Sequence, residues 1–389
     1  MKICIVAYKF GTEQEIGEHL GTYHYFIETL RRMADTGHEV FVIAPWLSWA
    51  KKGSAAVGKV KVLRYFPPLF NRPKLSFVNS LLRSWYINAT SRIVLKFDKT
   101  EKPEVICVWQ ARETGYAVAR VADKLKAPFV FRQITAWQWH FERSDLPDAA
   151  IQEKFAREIY KKAKSIIFVT QAAAEAEKSL GLPDEKIRAM GVAIETDVFK
   201  PAGEPKSGNQ ILFIGRINYR EKGIGYLLDA MPLILKEIPG ARLTVVGGEG
   251  EWDRMIKQIA DLKIENDVEL AGKQPFDKLP EYLNAADVMA VPSVWLEAFG
   301  QVTIEAMSCG VPVVTSDMGG STEINVDGET GLIVPKANSQ ALAEAVIKIL
   351  KDAELRKRLG TAARKRAEEN YSYEVLVKNF LDLLGEAKH

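Results

Sequence analysis

The sequence predicts an α/β protein built from two doubly wound, Rossmann-like domains, and three observations predict it. The chain has 389 residues, more than one hydrophobic core comfortably serves, so two domains of similar size are expected. Short β-branched apolar runs alternate with helical patterns along most of its length. That rhythm breaks at "VFKPAGEPKSGN" (198–209), where proline, glycine and polar residues gather, and then restarts.

Before the break the strand-length runs are KICIVAY, EVFVIAP, VKVLRYF, VICVWQ, FVFRQI and SIIFVT. They lack in-and-out alternation, as parallel strands buried on both faces should. After it come ILFIGRI, RLTVVGG, VELAGK, DVMAVPS, PVVTS and GLIVP, followed by helical, charge-rich sequence from Ser339 to about Glu386. The expected division is residues 1–200 and residues 201–371.

Composition narrows the function classes. A net charge of +3 argues against a nucleic-acid binder that works through its overall charge. Cys4, Cys107 and Cys309 are far apart in apolar runs, which reads as buried thiols in a reducing compartment. The N-terminal MKICIVAY turns polar too soon for a signal peptide, and no apolar run is long enough to span a membrane. A cytoplasmic protein is expected. One region stands apart: residues 45–97 hold no Asp or Glu but ten Lys or Arg. Trp46, Trp49, Tyr65, Phe66, Phe70, Phe77, Trp85, Tyr86 and Phe97 are interleaved with them. Either this is a basic solvated face with aromatics packed inward, or it meets anionic lipid headgroups or an anionic acceptor, on the inner face of a membrane.

Two segments after the break carry candidate chemistry. "ILFIGRINYREKGIG" places Gly215, Arg216, Lys222 and Gly223 on a loop after a parallel strand, where open α/β sheets bind ligands. Two cations there form a clamp for a diphosphate. In "LEAFGQVTIEAMSCG" a helix starting at Gln301 offers the backbone N–H groups of Gly300, Gln301, Val302 and Thr303 to a phosphate. Glu305, one turn in, can accept from both hydroxyls of a ribose, and Glu297 from a second set of hydroxyls. Gly300 permits close backbone approach, and Gly310 closes the helix.

These motifs, with "VVGGEG", "PSVWLEAFGQVTIEAMSCGVPVVTSDMGGSTEIN" and "DGETGLIVP", resemble the C-terminal half of the family-4 retaining glycosyltransferases of GT-B fold. The family's E-x7-E pair is matched by Glu297 and Glu305. "GTYHYFIETLRRMADTGHEVFVIAP", "VAIETDVFKP" and "YSYEVL" extend the resemblance over most of the chain. The resemblance implies a cleft between the domains and a final helix, 372–389, that crosses back to the first. It implies that Arg216 and Lys222 bind the diphosphate of a UDP- or GDP-sugar. Glu305 would hold the ribose and Glu297 the donor sugar, with the backbone of Phe299 and Gly300 beside it. Gly21, in a loop before the first helix, would approach the phosphate, although the family often has a Gly-Gly doublet there. It also implies retention by same-face attack, onto the hydroxyl of a glycan, a lipid or a small molecule.

A histidine that the family often carries is matched here by Ile134. Arg132, Gln133, Trp137 and His140 are the acceptor-side candidates around it. No Asp-x-Asp pair occurs, so an essential metal on the diphosphate is not expected, and no cofactor is expected because the nucleotide sugar is itself a substrate. A nicotinamide dehydrogenase would need G-x-G-x-x-G after its first strand, which "AYKFGTEQEIG" does not supply. A nucleotide-sugar epimerase or phosphorylase of the same fold, or a non-catalytic membrane-associated sugar-nucleotide binder, are the alternatives.

Overall fold

A computed structural model describes residues 1–17, 20–68, 76–137, 148–203 and 208–388, with backbone alone at 20–22 and 76–78. The chain divides into two compact units, Met1–Gly191 with Leu376–His389, and Val192–Val375.

The first unit is built on strands β1 (Lys2–Ala7), β2 (Glu39–Pro45), β3 (Ala56–Val57), β4 (Val60–Tyr65), β5 (Val105–Trp109), β6 (Phe129–Gln133), β7 (Ser165–Phe168) and β8 (Ile187–Ala189). Their order is β3-β4-β2-β1-β5-β6-β7-β8, and every pairing is parallel except β3 with β4. Each apolar run expected before the break is one of these strands. Ile3, Cys4, Ile5 and Val6 are fully buried because β1 lies mid-sheet, with Ile5 opposite both Val42 and Cys107. β4 departs from the expectation: its burial alternates. It lies beside the sheet edge, where the two-residue β3 follows, and its alternate residues Lys61 and Leu63 face solvent.

Gly21 also differs from the expectation. It lies in the first turn of the helix Leu20–Asp35, not in a loop before it. Phe26, Leu30 and Met33, at helical spacing and all buried, anchor that helix to the sheet. The helix Tyr373–Glu386 enters the first unit at Leu376. There Phe380 packs edge-on against Trp109, and Arg188 pairs with Glu386 at 3.4 Å.

The second unit holds β9 (Gln210–Ile214), β10 (Arg242–Val246), β11 (Val268–Gly272), β12 (Val288–Val291), β13 (Val313–Ser316) and β14 (Gly331–Val334). All are parallel, in the order β11-β10-β9-β12-β13-β14. Helices Ile224–Glu237 and Ser339–Lys351 bury Leu227, Leu228, Met231 and Ile234 with Leu342, Val346 and Ile349 in one core. The edge strand β11 is half open, its residues half-buried or exposed. The terminal helices are capped by their own sequence, Asn338 accepting from the Ala341 N–H and Asp352 from the Leu355 N–H. Among the described residues, no helix is long and apolar enough to cross a membrane.

Candidate functional site

The chain runs β9, β10, β11 outward and then returns to place β12 on the other side of β9. The carboxyl ends of β9 and β12 therefore flank the point where the winding reverses. The loops that leave them are 215–223 and 292–300, the segments that carry Arg216, Lys222 and Glu297.

Hydrogen bonds hold the two loops together. The Glu221 carbonyl accepts from the N–H groups of Val294 (3.0 Å) and Trp295 (3.2 Å). Asn218 shapes the turn before it, its carbonyl accepting from the Lys222 N–H and its side chain from the Glu221 N–H. Gly223 has φ +66, and a Cβ there would sit 2.0 Å from the Pro292 carbonyl oxygen. Only glycine lets the backbones meet this closely.

Both cations of the clamp have carboxylate partners. Lys222 Nζ lies 2.5 Å from Glu297 Oε2. Arg216 Nη2 lies 2.9 Å from Glu221 Oε2, its side chain 60% exposed and that of Glu221 only 15%. Glu221 was not among the residues expected to matter. The signal was its place between the two cations, in the run Arg216 to Lys222.

The helix Gln301–Ser308 starts where expected. Its N-cap is Gly300, with φ +97 and no side-chain capping bond, so its first turn has no built-in anion mimic. It ends on Gly310 at φ +71, with Val311 donating back to the Ala306 carbonyl. Glu297 lies just ahead of the helix, and its carbonyl accepts from the Gly320 N–H at 2.7 Å. Gly319 packs so closely that a Cβ would lie 2.5 Å from that carbonyl oxygen.

Glu305 is 3% exposed, and its Oε2 has no hydrogen-bond partner. Burial pushes its pKa up to about 8, against a smaller opposing pull from the Gln301 side chain, which hydrogen-bonds to it. The acid therefore holds its proton near neutral pH, where the sequence leads one to expect a carboxylate. Ser293 Oγ, Thr303 Oγ1 and Ser321 Oγ are buried on the neighbouring segments and also have no partner. Buried polar groups are nearly always satisfied, so several orphans around one loop pair mark a place for a polar ligand or ordered water.

The acceptor-side candidates fare differently. Arg132 is buried, and its guanidinium donates to the carbonyls of Phe168 (2.9 Å), Ile167 (3.3 Å) and Gly191 (2.6 Å). It stitches β6 to β7 and to the chain after β8. Gln133 is also buried, donating to the Thr135 carbonyl and accepting from the Tyr160 hydroxyl. Trp137 is buried, its ring stacked on Tyr160 and its backbone N–H donating to the Glu177 carboxylate. Ile134 is half-buried, and His140 lies outside the described residues. Glu177, fully buried and also bonded by the Tyr160 hydroxyl, was missed because its run, QAAAEAEK, reads as ordinary helix.

The 45–97 region separates by chemistry. Lys59 pairs with Asp35, Lys61 with Glu39, and Arg83 with Asp148 and Glu113. Arg64 is turned inward onto the carbonyls of Phe10, Ser54 and Pro45. Acids from other segments thus neutralise these three of the ten basic residues of this run. The aromatics instead converge: Trp46, Trp49 and Trp85 each pack edge-on against Phe66 at 4.7–5.1 Å. Trp49 and Trp85 remain 43% and 47% exposed, with exposed Leu81 one turn before Trp85 and Lys52 over Trp46. Tyr65, Tyr86 and Phe97 are core residues; Phe70 and the Phe77 side chain are outside the described set.

Comparison with known proteins divides the chain in the same place. The family described as Glycosyltransferase Family 4 matches residues 21–198, and that described as Glycosyl transferases group 1 matches residues 195–366. The phosphatidyl-myo-inositol mannosyltransferase of Mycobacterium leprae is 33% identical over 184 residues, 46% of this chain and 47% of that protein. The chain spans about half the length of the leading curated relatives it matches. Sucrose-phosphate synthase from Thermosynechococcus elongatus superposes with a TM-score of 0.77 at 20% identity, covering 99% of both chains. Anabaena HepE, solved in complex with UDP, superposes with a TM-score of 0.71 at 19% identity, covering 99% of this chain and 100% of that one. At such identities these structures speak for the fold.

Proposed function

We propose that this chain, which belongs to the GT-B glycosyltransferases, moves a hexose-type sugar from a UDP- or GDP-sugar to an acceptor hydroxyl. One observation carries the reading. At the switch point of the second unit, two cations, an uncapped helix start and a buried carboxyl with an unpartnered oxygen stand on two joined loops. Those groups match, in kind and order, a diphosphate flanked by a ribose and a sugar. Arg216 and Lys222 would take up charge as the diphosphate leaves, and the helix start at Gly300 to Thr303 would add to this. Glu305 would bind the ribose hydroxyls. Glu297, already against Lys222, would position the transferred sugar rather than act as a base. Phe299, Gln301 and Val302 contribute as backbone neighbours.

On this reading the sugar keeps its anomeric configuration, because the acceptor attacks the face that the leaving group vacates and a donor phosphate oxygen takes the proton. The side-chain cations supply the charge, so no resident metal is needed. A lipid acceptor finds support in the relatives' name, phosphatidyl-myo-inositol mannosyltransferase, and in the exposed Trp49 and Trp85. Such rings, with Leu81 beside them and Lys52 close by, suit a bilayer interface, making the protein a peripheral one on the cytoplasmic face.

A panel of UDP-, GDP- and ADP-sugars with a lipid-extract acceptor, read by mass spectrometry, tests the activity. The expected result is donor loss matched by glycosylated product, retained after chelator treatment and lost in Lys222→Ala. Donor loss without product, or phosphate-dependent turnover, would point to an epimerase or a phosphorylase instead. No donor loss with any sugar would sink the transferase reading.

A further inference from the structure

The donor-site cations are neutralised by carboxylates of the chain itself, and the two pairs differ in kind. Glu297 has a place in the proposed donor site. Glu221 has none, yet it is the better buried partner of a largely exposed arginine. Its backbone is fixed on both sides, through the Glu221 N–H on Asn218 and the carbonyl under Val294 and Trp295. The backbone of Glu221 is thus held beside Arg216 by the joint between the loops, and its carboxylate, 15% exposed, lies 2.9 Å from the guanidinium.

We infer that Glu221 is a positioning residue that holds Arg216 as a resting counter-ion and competes with the nucleotide diphosphate for it. This rests on the donor-site reading above. A diphosphate that binds draws on the same guanidinium charge as Glu221, and the ion pair tightens again as a nucleoside diphosphate departs. Glu221 thereby weakens nucleotide binding and favours product release. An exposed arginine with no such partner would hold the product longer. The carboxylate touches neither the sugar nor the reacting atoms.

Calorimetric titration with UDP, GDP and ADP on wild type, E221Q, R216A and the R216A/E221Q double variant tests this. The Gln side chain keeps the volume, and the backbone bonds at residue 221 are untouched. E221Q should bind the preferred nucleotide about two- to fivefold tighter than wild type at low salt, the range of a partly exposed ion pair. The gain should shrink as salt screens the pair, and inhibition by the same nucleotide under turnover should tighten by the same factor. In the R216A background the second substitution should change nothing. E221D, which keeps the charge on a shorter arm, should fall between wild type and E221Q and carries the test if E221Q does not fold. Equal or weaker binding by E221Q, or a gain that persists without Arg216, overturns the inference. Absence of binding by the wild type to all three nucleotides would instead overturn the donor-site reading itself.

Discussion

Replacing Glu305 by Gln should make the empty protein more stable and the enzyme worse. Burial raises the carboxyl from its ordinary 4.5 to about 8. Below about 4.5 both folded and unfolded chains carry the proton, and the group has no effect on stability. Between 4.5 and 8 the folded chain keeps a proton that the unfolded chain has lost, so stability falls as pH rises, at about 1.4 kcal/mol per pH unit. Above 8 the loss is complete, with a ceiling of about 5 kcal/mol over the whole interval. Between pH 5.5 and 7.5 the loss is about 3 kcal/mol, and E305Q should not suffer it. Urea denaturation of both proteins at several pH values reads the difference, because every other titrating group contributes equally to both curves. Nucleotide should reverse the ranking. Ribose hydroxyls donate best to the ionised acid, so wild-type affinity should rise with pH toward 8 and binding should release a proton. E305Q should bind weakly and without that pH dependence. Parallel stability curves for the two proteins from pH 5.5 to 7.5 would refute the reasoning.

Two further outcomes follow from geometry. Gly223→Ala must move its new Cβ away from the Pro292 carbonyl and adopt an unfavourable φ. It should cost about 2–3 kcal/mol in thermal denaturation and weaken nucleotide binding, since it parts the two loops; wild-type melting and affinity would contradict this. Trp49→Ala with Trp85→Ala should abolish flotation with anionic liposomes while leaving nucleotide binding intact, whereas Lys59→Ala with Lys61→Ala should not. If the unaltered protein fails to float at low salt, the membrane reading is wrong.

Much of the fold was legible because buried parallel strands declare themselves as continuous apolar runs, and ILFIGRI and DVMAVPS are as clear as sequence becomes. The edges were less legible. β4 (VKVLRY) and β11 (VELAG) carry Lys61, Arg64 and Glu269 within otherwise apolar runs, and those charges were the signal of an open face that reading the runs as continuous passed over. The candidate donor site was readable for a related reason: Gly300 and Gly310 bracket a short helix, and the acids sit at fixed local spacing. The basic run was only partly legible because pairing is three-dimensional. Nothing in residues 45–97 says that Asp35, Glu39 and Asp148 will come to meet it. Arg132 was ambiguous for a different reason, since an arginine near the end of a strand can reach a ligand or bond to carbonyls, and here its terminal nitrogens donate to carbonyls.

The two units are not stored in the gene as one piece each. The second is continuous, Val192–Val375, whereas the first is split around it and recovers Leu376–His389 only at the end. During synthesis from the N-terminus, the whole second unit is made before the segment that supplies Phe380 to Trp109. The unit translated first is thus the last to have all of its residues. Dissecting this protein by cutting after residue 375 would leave the second unit intact and the first one incomplete.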